Sequence, residues 1–145
     1  MQELTKTLSL RELSRAEAAT PELLPPELRP SQLPYLVADW CWIVELKDHG
    51  PIALVVTSHV HGVLFIWRVL STAQARKLSL NWFLAAFPRI FDNAKLRGCV
   101  GYGAFLHDNV PEEARLARIM AKAGAHIEPW VGSIAVNRLF SESDA

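Results

Sequence analysis

Near its carboxyl end the chain reads Asn109-Val110-Pro111-Glu112-Glu113-Ala114-Arg115-Leu116-Ala117-Arg118-Ile119-Met120-Ala121-Lys122-Ala123-Gly124. Asn109 is a preferred N-cap residue with Glu112 three positions later, and Pro111 suits the first turn of a helix. Apolar side chains recur at helical spacing and form one stripe, which consists of Leu116, Ile119, Met120 and Ala123. Gly124 follows the last of them, where helices commonly end. The stretch therefore predicts an amphipathic helix together with its start and its stop.

Length and composition bound the class of protein. The chain has 145 residues, half of them hydrophobic, which is enough for one domain with a buried core. Fifteen basic residues balance fifteen acidic ones, so net charge does not indicate nucleic acid as a partner. The longest apolar run, 52–67, is interrupted by polar residues and is shorter than the ~18 residues of a membrane helix. Residues 1–6 lack the layout of a signal peptide. We expect no membrane partner and no secretion by that route.

We divide this single domain, residues 1–145, into a proline-rich amino-terminal wrap (1–34), a core (35–140) and a polar tail (141–145). Leucines before residue 11 suggest a short strand, and residues 11–19 suggest a short helix. Five of the nine prolines then fall within fourteen residues: Pro21, Pro25, Pro26, Pro30 and Pro34. Each proline removes a backbone donor, so this segment is expected to dock on the surface as a connector. A proline-rich ligand peptide for a partner is the alternative.

From Tyr35 onward, β-branched and aromatic residues are interrupted regularly by turn signals, as in an antiparallel meander. We place three strands at 39–47, 52–60 and 63–70, the last two joined by a tight hairpin. The second and third strands are apolar on both faces, which requires cover on both sides.

Helical cover is predicted to begin at Ser71, the start of a capping box that ends with Gln74. The helix should run to about residue 93, with a kink or a break at Pro88. Its aromatic and leucine stripe is a candidate core face: Leu80, Phe83, Leu84, Phe87 and Phe91. A glycine-rich strand follows at 99–106, where small residues let another backbone or a ligand approach closely. Two further strands are expected near 127–131 and at 133–139.

This order of elements resembles the GNAT-type N-acyltransferase superfamily over residues 35–140. Residues 109–125 are similar to its closing segment, Asn-x-x-(small)-x-x-(hydrophobic)-Tyr-x-x-x-Gly-Phe. The small size and the final run 119–125 look like the short acyltransferase-like proteins of tailed bacteriophages. The resemblance implies an α/β (α+β) fold, a mixed and mostly antiparallel sheet with helices on both faces. It also implies a V-shaped gap between two strands that holds the pantetheine of coenzyme A in active relatives.

The chain departs from the family pattern at three places where the chemistry of active members lies. Their glycine-rich pyrophosphate loop is matched by residues 70–76, which contain no glycine. Their tyrosine, the usual general acid, is matched by Met120, which cannot donate a proton. Their frequent glutamate base has no counterpart on 63–70, where Arg68 is the only ionisable residue.

These departures favour a phage protein of this fold with a degenerate acyl-transfer site and no cofactor, acting through protein contacts. The alternative is an active acyl-coenzyme A-dependent N-acyltransferase with an atypical cofactor loop. If coenzyme A or acetyl-coenzyme A binds, the candidate residues are Ser71, Thr72, Ala73, Gln74, Arg76 and Asn109. We expect a virion or host-cytoplasm location and a protein partner or self-association, with Trp130, near a sheet edge, as the candidate contact.

Three histidines are candidates for chemistry. His107 and Asp108 follow a strand at its carboxyl end, where ligands of α/β folds bind, and are the candidate catalytic pair; helix capping is the simpler role of Asp108. His61 is a weaker candidate base acting through a water. His59 and His61 alternate along one strand and could hold a metal, but no clear third ligand accompanies them, so we predict no metal site. Cys41 and Cys99 are expected to be buried, reduced thiols.

Overall fold

The computed structural model describes residues 7–29, 40–79 and 81–140. Within these ranges the chain forms seven strands: β1 (Leu8–Glu12), β2 (Trp40–Leu46), β3 (Gly50–Val60), β4 (Val63–Ser71), β5 (Gly101–His107), β6 (His126–Trp130) and β7 (Ser133–Leu139). It also forms four α-helices: α1 (Arg15–Ala19), α2 (Ala73–Lys77), α3 (Asn81–Leu96) and α4 (Pro111–Lys122). Two short 3-10 turns lie in the proline-rich segment, at Pro21–Leu23 and Pro26–Leu28. None of the described helices is long and apolar enough to span a membrane.

All seven strands belong to one sheet, in the order β1-β2-β3-β4-β5-β7-β6. β4 and β5 run parallel, and every other neighbouring pair is antiparallel. His61 and Gly62 both have positive φ, +50° and +81°, as a two-residue hairpin turn between β3 and β4 requires. The mixed, mostly antiparallel sheet predicted from the sequence is confirmed.

The two long helices α3 and α4 pack on the same face of the sheet, here called the inner face. Aromatic side chains of α3, including Trp82, Phe83 and Phe87, lie in the same buried cluster as Leu116 and Met120 of α4. The predicted aromatic stripe is therefore largely a core face, although Leu84 is exposed and Leu80 lies outside the described residues.

The opposite face, called the outer face, is covered over β2, β3 and the end of β4 by the amino-terminal segment. Leu24 and Leu28 are fully buried there in a second cluster with four sheet residues: Cys41, Ile43, Leu54 and Val56. Burial of these two leucines, at about 1.5–3 kcal/mol each, contributes to holding the segment on the sheet.

An ion pair fastens this segment to the sheet. The guanidinium of Arg11, in β1, donates to both carboxylate oxygens of Glu17 at 2.6 and 2.7 Å and to Glu45 of β2 at 2.8 Å. The hydrogen bond from Arg11 lowers the pKa of Glu17 to about 2. Glu17 also completes a capping box with Ser14 at the start of α1. The wrap predicted for residues 1–34 thus includes an edge strand and a capped helix over its described part.

The predicted long helix from Ser71 is wrong in its start and in its break. Ser71 ends β4, and Thr72 is the N-cap, its hydroxyl accepting the amide N–H of Ala75 at 3.2 Å. The chain breaks at Ser79, whose φ is +55°, so α2 and α3 are separate helices. Pro88 lies inside a continuous α3. The carbonyl that Pro88 cannot bond belongs to Leu84, on the exposed side of the helix, where water can satisfy it.

The helix predicted from residues 109–124 is present, but its N-cap residue differs from the prediction. Val110, not Asn109, is the N-cap of α4, and no side chain caps the helix there. Pro111 occupies the first turn as expected, because its missing N–H is not needed at that position. Gly124, with φ +103°, follows the end of the helix as predicted.

The glycines of β5 explain how closely β7 approaches. A Cβ on Gly101 would lie 2.4 Å from the carbonyl oxygen of Arg138 in β7, whereas one on Gly103 would lie no closer than 3.7 Å to the Phe65 ring and the carbonyl oxygen of Val136. The close approach predicted for this strand is therefore made by a backbone at Gly101.

We predict that Gly101→Ala destabilises the protein by about 2–3 kcal/mol, because β7 must shift to accept the new methyl group. Gly103→Ala is the matched control and should change the free energy of unfolding by less than about 1 kcal/mol, since its methyl makes an ordinary contact. Urea unfolding followed by circular dichroism measures both. Equal stability of the two variants would contradict the close approach of β7.

Candidate active site

A cleft opens where β4 and β5 stop pairing. Their pairing covers only Val63–Ile66 against Gly101–Ala104. Beyond it, β4 stays paired with β3 as far as Ser71, and β5 stays paired with β7 as far as His107. The two strands therefore part while each remains fixed to its other neighbour. The V-shaped gap implied by the family resemblance is present.

A β-bulge accounts for the divergence. Ile66 pairs with Thr57 of β3, but the next pair is Arg68 with Val56, so Trp67 has no residue opposite it. A bulge bends the strand that carries it and increases the local twist. This bulge lies one residue past the last β4–β5 pair, and Trp67 and Arg68 are both exposed there. The extra residue therefore turns β4 away from β5.

The cleft has a volume of about 630 Å³ and is lined by β4, β5 and the start of α4. Its walls carry the side chains of Trp67, Phe105, His107, Asn109 and Glu113, among others. Past Ile66, the edge of β4 that faces the cleft has no partner among the described strands. Its backbone groups are available to a ligand that can hydrogen-bond along it.

His107 is held in the cleft by Glu113. Ring atom Nδ1 lies 3.1 and 3.2 Å from the two carboxylate oxygens of Glu113, and the backbone N–H of His107 donates to the same carboxylate at 3.3 Å. An ionised carboxylate only accepts hydrogen bonds, so this pairing requires the proton on Nδ1 and leaves Nε2 of the neutral ring as an acceptor. The His107 side chain is 66% exposed and reachable from the cleft.

The carboxylate that bonds to His107 is therefore that of Glu113, and not that of the neighbouring Asp108. Asp108 lies in the turn between β5 and α4, where the amide N–H of this residue bonds to the carbonyl of Gly132 at 3.4 Å. Glu113 reaches His107 because α4 folds back over the end of β5. Their separation of six residues matches neither strand nor helix spacing, which is why the sequence did not reveal it.

The other two histidines lie away from this cleft. His61 is in the hairpin turn before β4, at the end of that strand opposite to the cleft. His59 stacks on Trp40 with ring centroids 5.5 Å apart, and its Nε2 accepts the amide N–H of Gly62 at 3.0 Å. In the described part of the chain, histidine, cysteine and carboxylate side chains form no group of three that could hold a metal.

In the predicted cofactor loop, residues 71–74, some backbone amides already form hydrogen bonds within this chain. The Thr72 amide donates to the carbonyl of Ile52 at 2.9 Å, and the Ala73 amide donates to the carboxylate of Glu27 at 3.4 Å. Ser71 ends β4, and Gln74 lies in the first turn of α2. Asn109 lines the cleft. Two of the loop amides thus already bond to groups of this chain.

Arg76, also predicted, lines a separate groove of about 280 Å³ between α2 and α4. Arg115 lines the same groove, and its guanidinium donates to the hydroxyl of Ser79 at 3.0 Å. Arg76 and Arg115 therefore line one groove together with Glu112, and the Arg76 guanidinium donates to the carbonyl of Ser71 at 3.3 Å. From the sequence, Arg115 was assigned only to the polar side of α4. Its position one turn after Pro111 was the sequence feature that could have placed it at this groove.

Met120 and the two cysteines are structural. Met120 is buried in the inner core and lines a cavity between α3 and α4, not the cleft, which agrees with its predicted packing role. Cys41 and Cys99 are buried free thiols, as expected. Burial raises the pKa of Cys41 to about 11 and raises that of Cys99, so neither is an activated nucleophile. The side chain of Trp130 lies outside what the structure describes, and its proposed contact stays a prediction.

Three solved structures with a similar fold are N-acetyltransferases. PaiA N-acetyltransferase from Thermoplasma acidophilum, solved in complex with coenzyme A, is 9% identical, with 92% of this chain and 99% of that chain covered and a TM-score of 0.64. The ribosomal-protein-S18-alanine N-acetyltransferase from Escherichia coli is 9% identical, with 90% of each chain covered and a TM-score of 0.65. Spermidine/spermine N-acetyltransferase SpeG from Vibrio cholerae, in complex with manganese ions, is 12% identical, with 94% of each chain covered and a TM-score of 0.65.

At these identities the likeness establishes the fold, which is that of the GNAT N-acetyltransferases, as predicted. No family model matches the sequence. A search of curated proteins finds no match either. The expectation of a protein without a cofactor is contradicted, because the similar structures are acetyltransferases and one of them holds coenzyme A. That expectation rested on three departures from the family pattern taken together: no glycine at residues 70–76, Met120 in place of the tyrosine, and no carboxylate on residues 63–70.

We predict that neutral His107 carries its proton on Nδ1, because Glu113 accepts a hydrogen bond at that atom. Long-range proton–nitrogen correlation spectra of labelled protein identify the tautomer. Glu113→Ala should remove the preference, whereas Asp108→Ala, the control, should leave it unchanged. A wild-type ring protonated on Nε2, or an equal effect of the two variants, would contradict the arrangement.

Proposed function

We propose that this protein is an acyl-coenzyme A-dependent N-acyltransferase that works in the cleft between β4 and β5. The observation that carries the proposal is the parting of the two strands beside His107. One wall offers an unpaired strand edge, and the other ends in a histidine whose Nε2 is a proton acceptor. This combination suits a reaction that binds an extended donor and removes a proton from an amine.

The residues present fit coenzyme A by their chemistry. A chain containing amides can bond along the open edge of β4 past Ile66. Phosphate groups suit the groove that Arg76 and Arg115 share, because guanidinium groups form strong, charge-assisted hydrogen bonds with phosphate. Side chains there would take over the role that glycine-loop amides play in the family pattern.

When bound, the acyl thioester supplies an activated carbonyl carbon. Nε2 of His107 accepts the proton that the acceptor amine loses as its nitrogen bonds to that carbon and the carbon–sulfur bond breaks. Glu113 holds the ring in the required tautomer and stabilises the imidazolium. Because the His107 side chain is largely exposed, the proton can pass on to solvent. Met120 has no proton to donate and is buried away from the cleft, so the departing thiolate would take its proton from water.

A second candidate function is the predicted phage protein that has this fold but has lost acyl transfer, and that acts through protein contacts in a virion or on a host factor. One observation favours it. The carboxylate of Glu27 bonds to the amide of Ala73, so the loop after β4 holds an acidic group of its own chain. A carboxylate at that point opposes phosphate binding to the same amide.

Thiol release from acetyl-coenzyme A in the presence of primary amines tests the proposal. We expect His107→Ala to lower kcat/KM about 10²–10⁴-fold, the range typical of a removed general base. Calorimetry should give the same acetyl-coenzyme A affinity for the variant and the wild type, because His107 acts on the acceptor. Asp108→Ala is the control and should retain activity.

Two results would overturn the proposal. Absence of acetyl-coenzyme A binding at millimolar concentration would exclude the cofactor. Binding without transfer to any amine would favour the second candidate function. Full activity in His107→Ala would assign proton transfer to another group.

A further inference from the structure

We infer that the acceptor of this reaction is a small primary amine with an apolar, preferably aromatic, body. Its binding surface would be an aromatic platform of Phe65, Trp67 and Phe105 on the outer face of the sheet. The inference rests on the proposed function and deepens it, since the platform borders the same cleft.

The three rings form one continuous surface across β4 and β5. The ring centroids of Phe65 and Trp67 are 4.5 Å apart, and those of Phe65 and Phe105 are 5.7 Å apart. Phe65 packs over Gly103 of β5, where a Cβ would lie 3.7 Å from its ring. The indole N–H of Trp67 donates to the hydroxyl of Ser58 at 2.5 Å, which fixes the orientation of the indole.

The platform is exposed and lies on the side of the sheet where His107 lies. Side chains alternate along a strand, so Phe105 and His107 share the outer face of β5, whereas Leu106 between them is buried on the inner face. Trp67 is 55% exposed and Phe105 is 47% exposed. Both side chains line the cleft itself, unlike isolated apolar residues such as Leu139.

The charges along the cleft disfavour a polycationic acceptor. Among the described residues that line the cleft, Glu113 is the only one with an acidic side chain, and its carboxylate already pairs with His107. A polyamine needs several carboxylates for its remaining ammonium groups, whereas an apolar amine needs only contact area for its body and one proton acceptor.

Acetylation of 2-phenylethylamine and of spermidine by the full chain, with acetyl-coenzyme A as donor, tests the inference. We expect kcat/KM at least ~10-fold higher for 2-phenylethylamine. Trp67→Ala should raise the KM for 2-phenylethylamine about 5–20-fold with little change in kcat, because aromatic contact contributes to binding of this amine. Trp67→Phe should restore most of the affinity, and Leu139→Ala, an exposed apolar residue outside the cleft, should behave as wild type.

Binding is also measured without turnover, from shifts of the Trp67 indole N–H signal on titration with 2-phenylethylamine. Shifts of the Trp67 indole signal without acetyl transfer would overturn the proposed function but would support binding at the aromatic platform. Transfer to spermidine or to a peptide amino terminus, unaffected by Trp67→Ala, would overturn the platform but keep the function. If neither the signal shifts nor acetyl transfer is observed, both the platform and the proposed function are overturned.

Discussion

One extra residue in β4 sets the geometry on which the rest of the site depends. A regular strand would keep pairing with β5 past Ile66 and would close the sheet. Trp67 has no residue opposite it in β3, so β4 bends there and β5 continues with β7 instead. The free edge, the cleft and the exposure of Trp67 all follow from this bulge.

The two faces of the sheet are covered by different parts of the chain, and this difference decides which molecules can reach the cleft. On the inner face, α3 and α4 form a large aromatic core, and α4 also brings Glu113 over the end of β5. On the outer face, Leu24 and Leu28 cover β2, β3 and the end of β4 at Leu70, and their cluster includes no side chain of β5. The Arg11–Glu17 ion pair, which lowers the pKa of Glu17, fastens that cover to β1. The described part of this cover leaves the rings of Trp67 and Phe105 exposed.

Much of the fold could be predicted because its signals are local. Alternating apolar runs and a two-residue turn located the meander, and the stripe from Leu116 to Ala123 located α4. The bulge at Trp67 could not be predicted, since it depends on register between β3 and β4. The partner of His107 was missed for a similar reason, because Glu113 reaches it through the angle between α4 and β5. The cap at Asn109 was assigned from residue preference alone, although the backbone places Val110 there.

The most direct test of the cleft as the donor site is amide hydrogen exchange in β4 with and without acetyl-coenzyme A, resolved residue by residue by NMR. If the donor bonds along the open edge past the bulge, exchange should slow about tenfold or more at cleft-facing amides within residues 67–71. Amides that pair with β3 should change little. Bound acetyl-coenzyme A that leaves this edge unprotected, or that protects only the cavity between α3 and α4, would contradict the account.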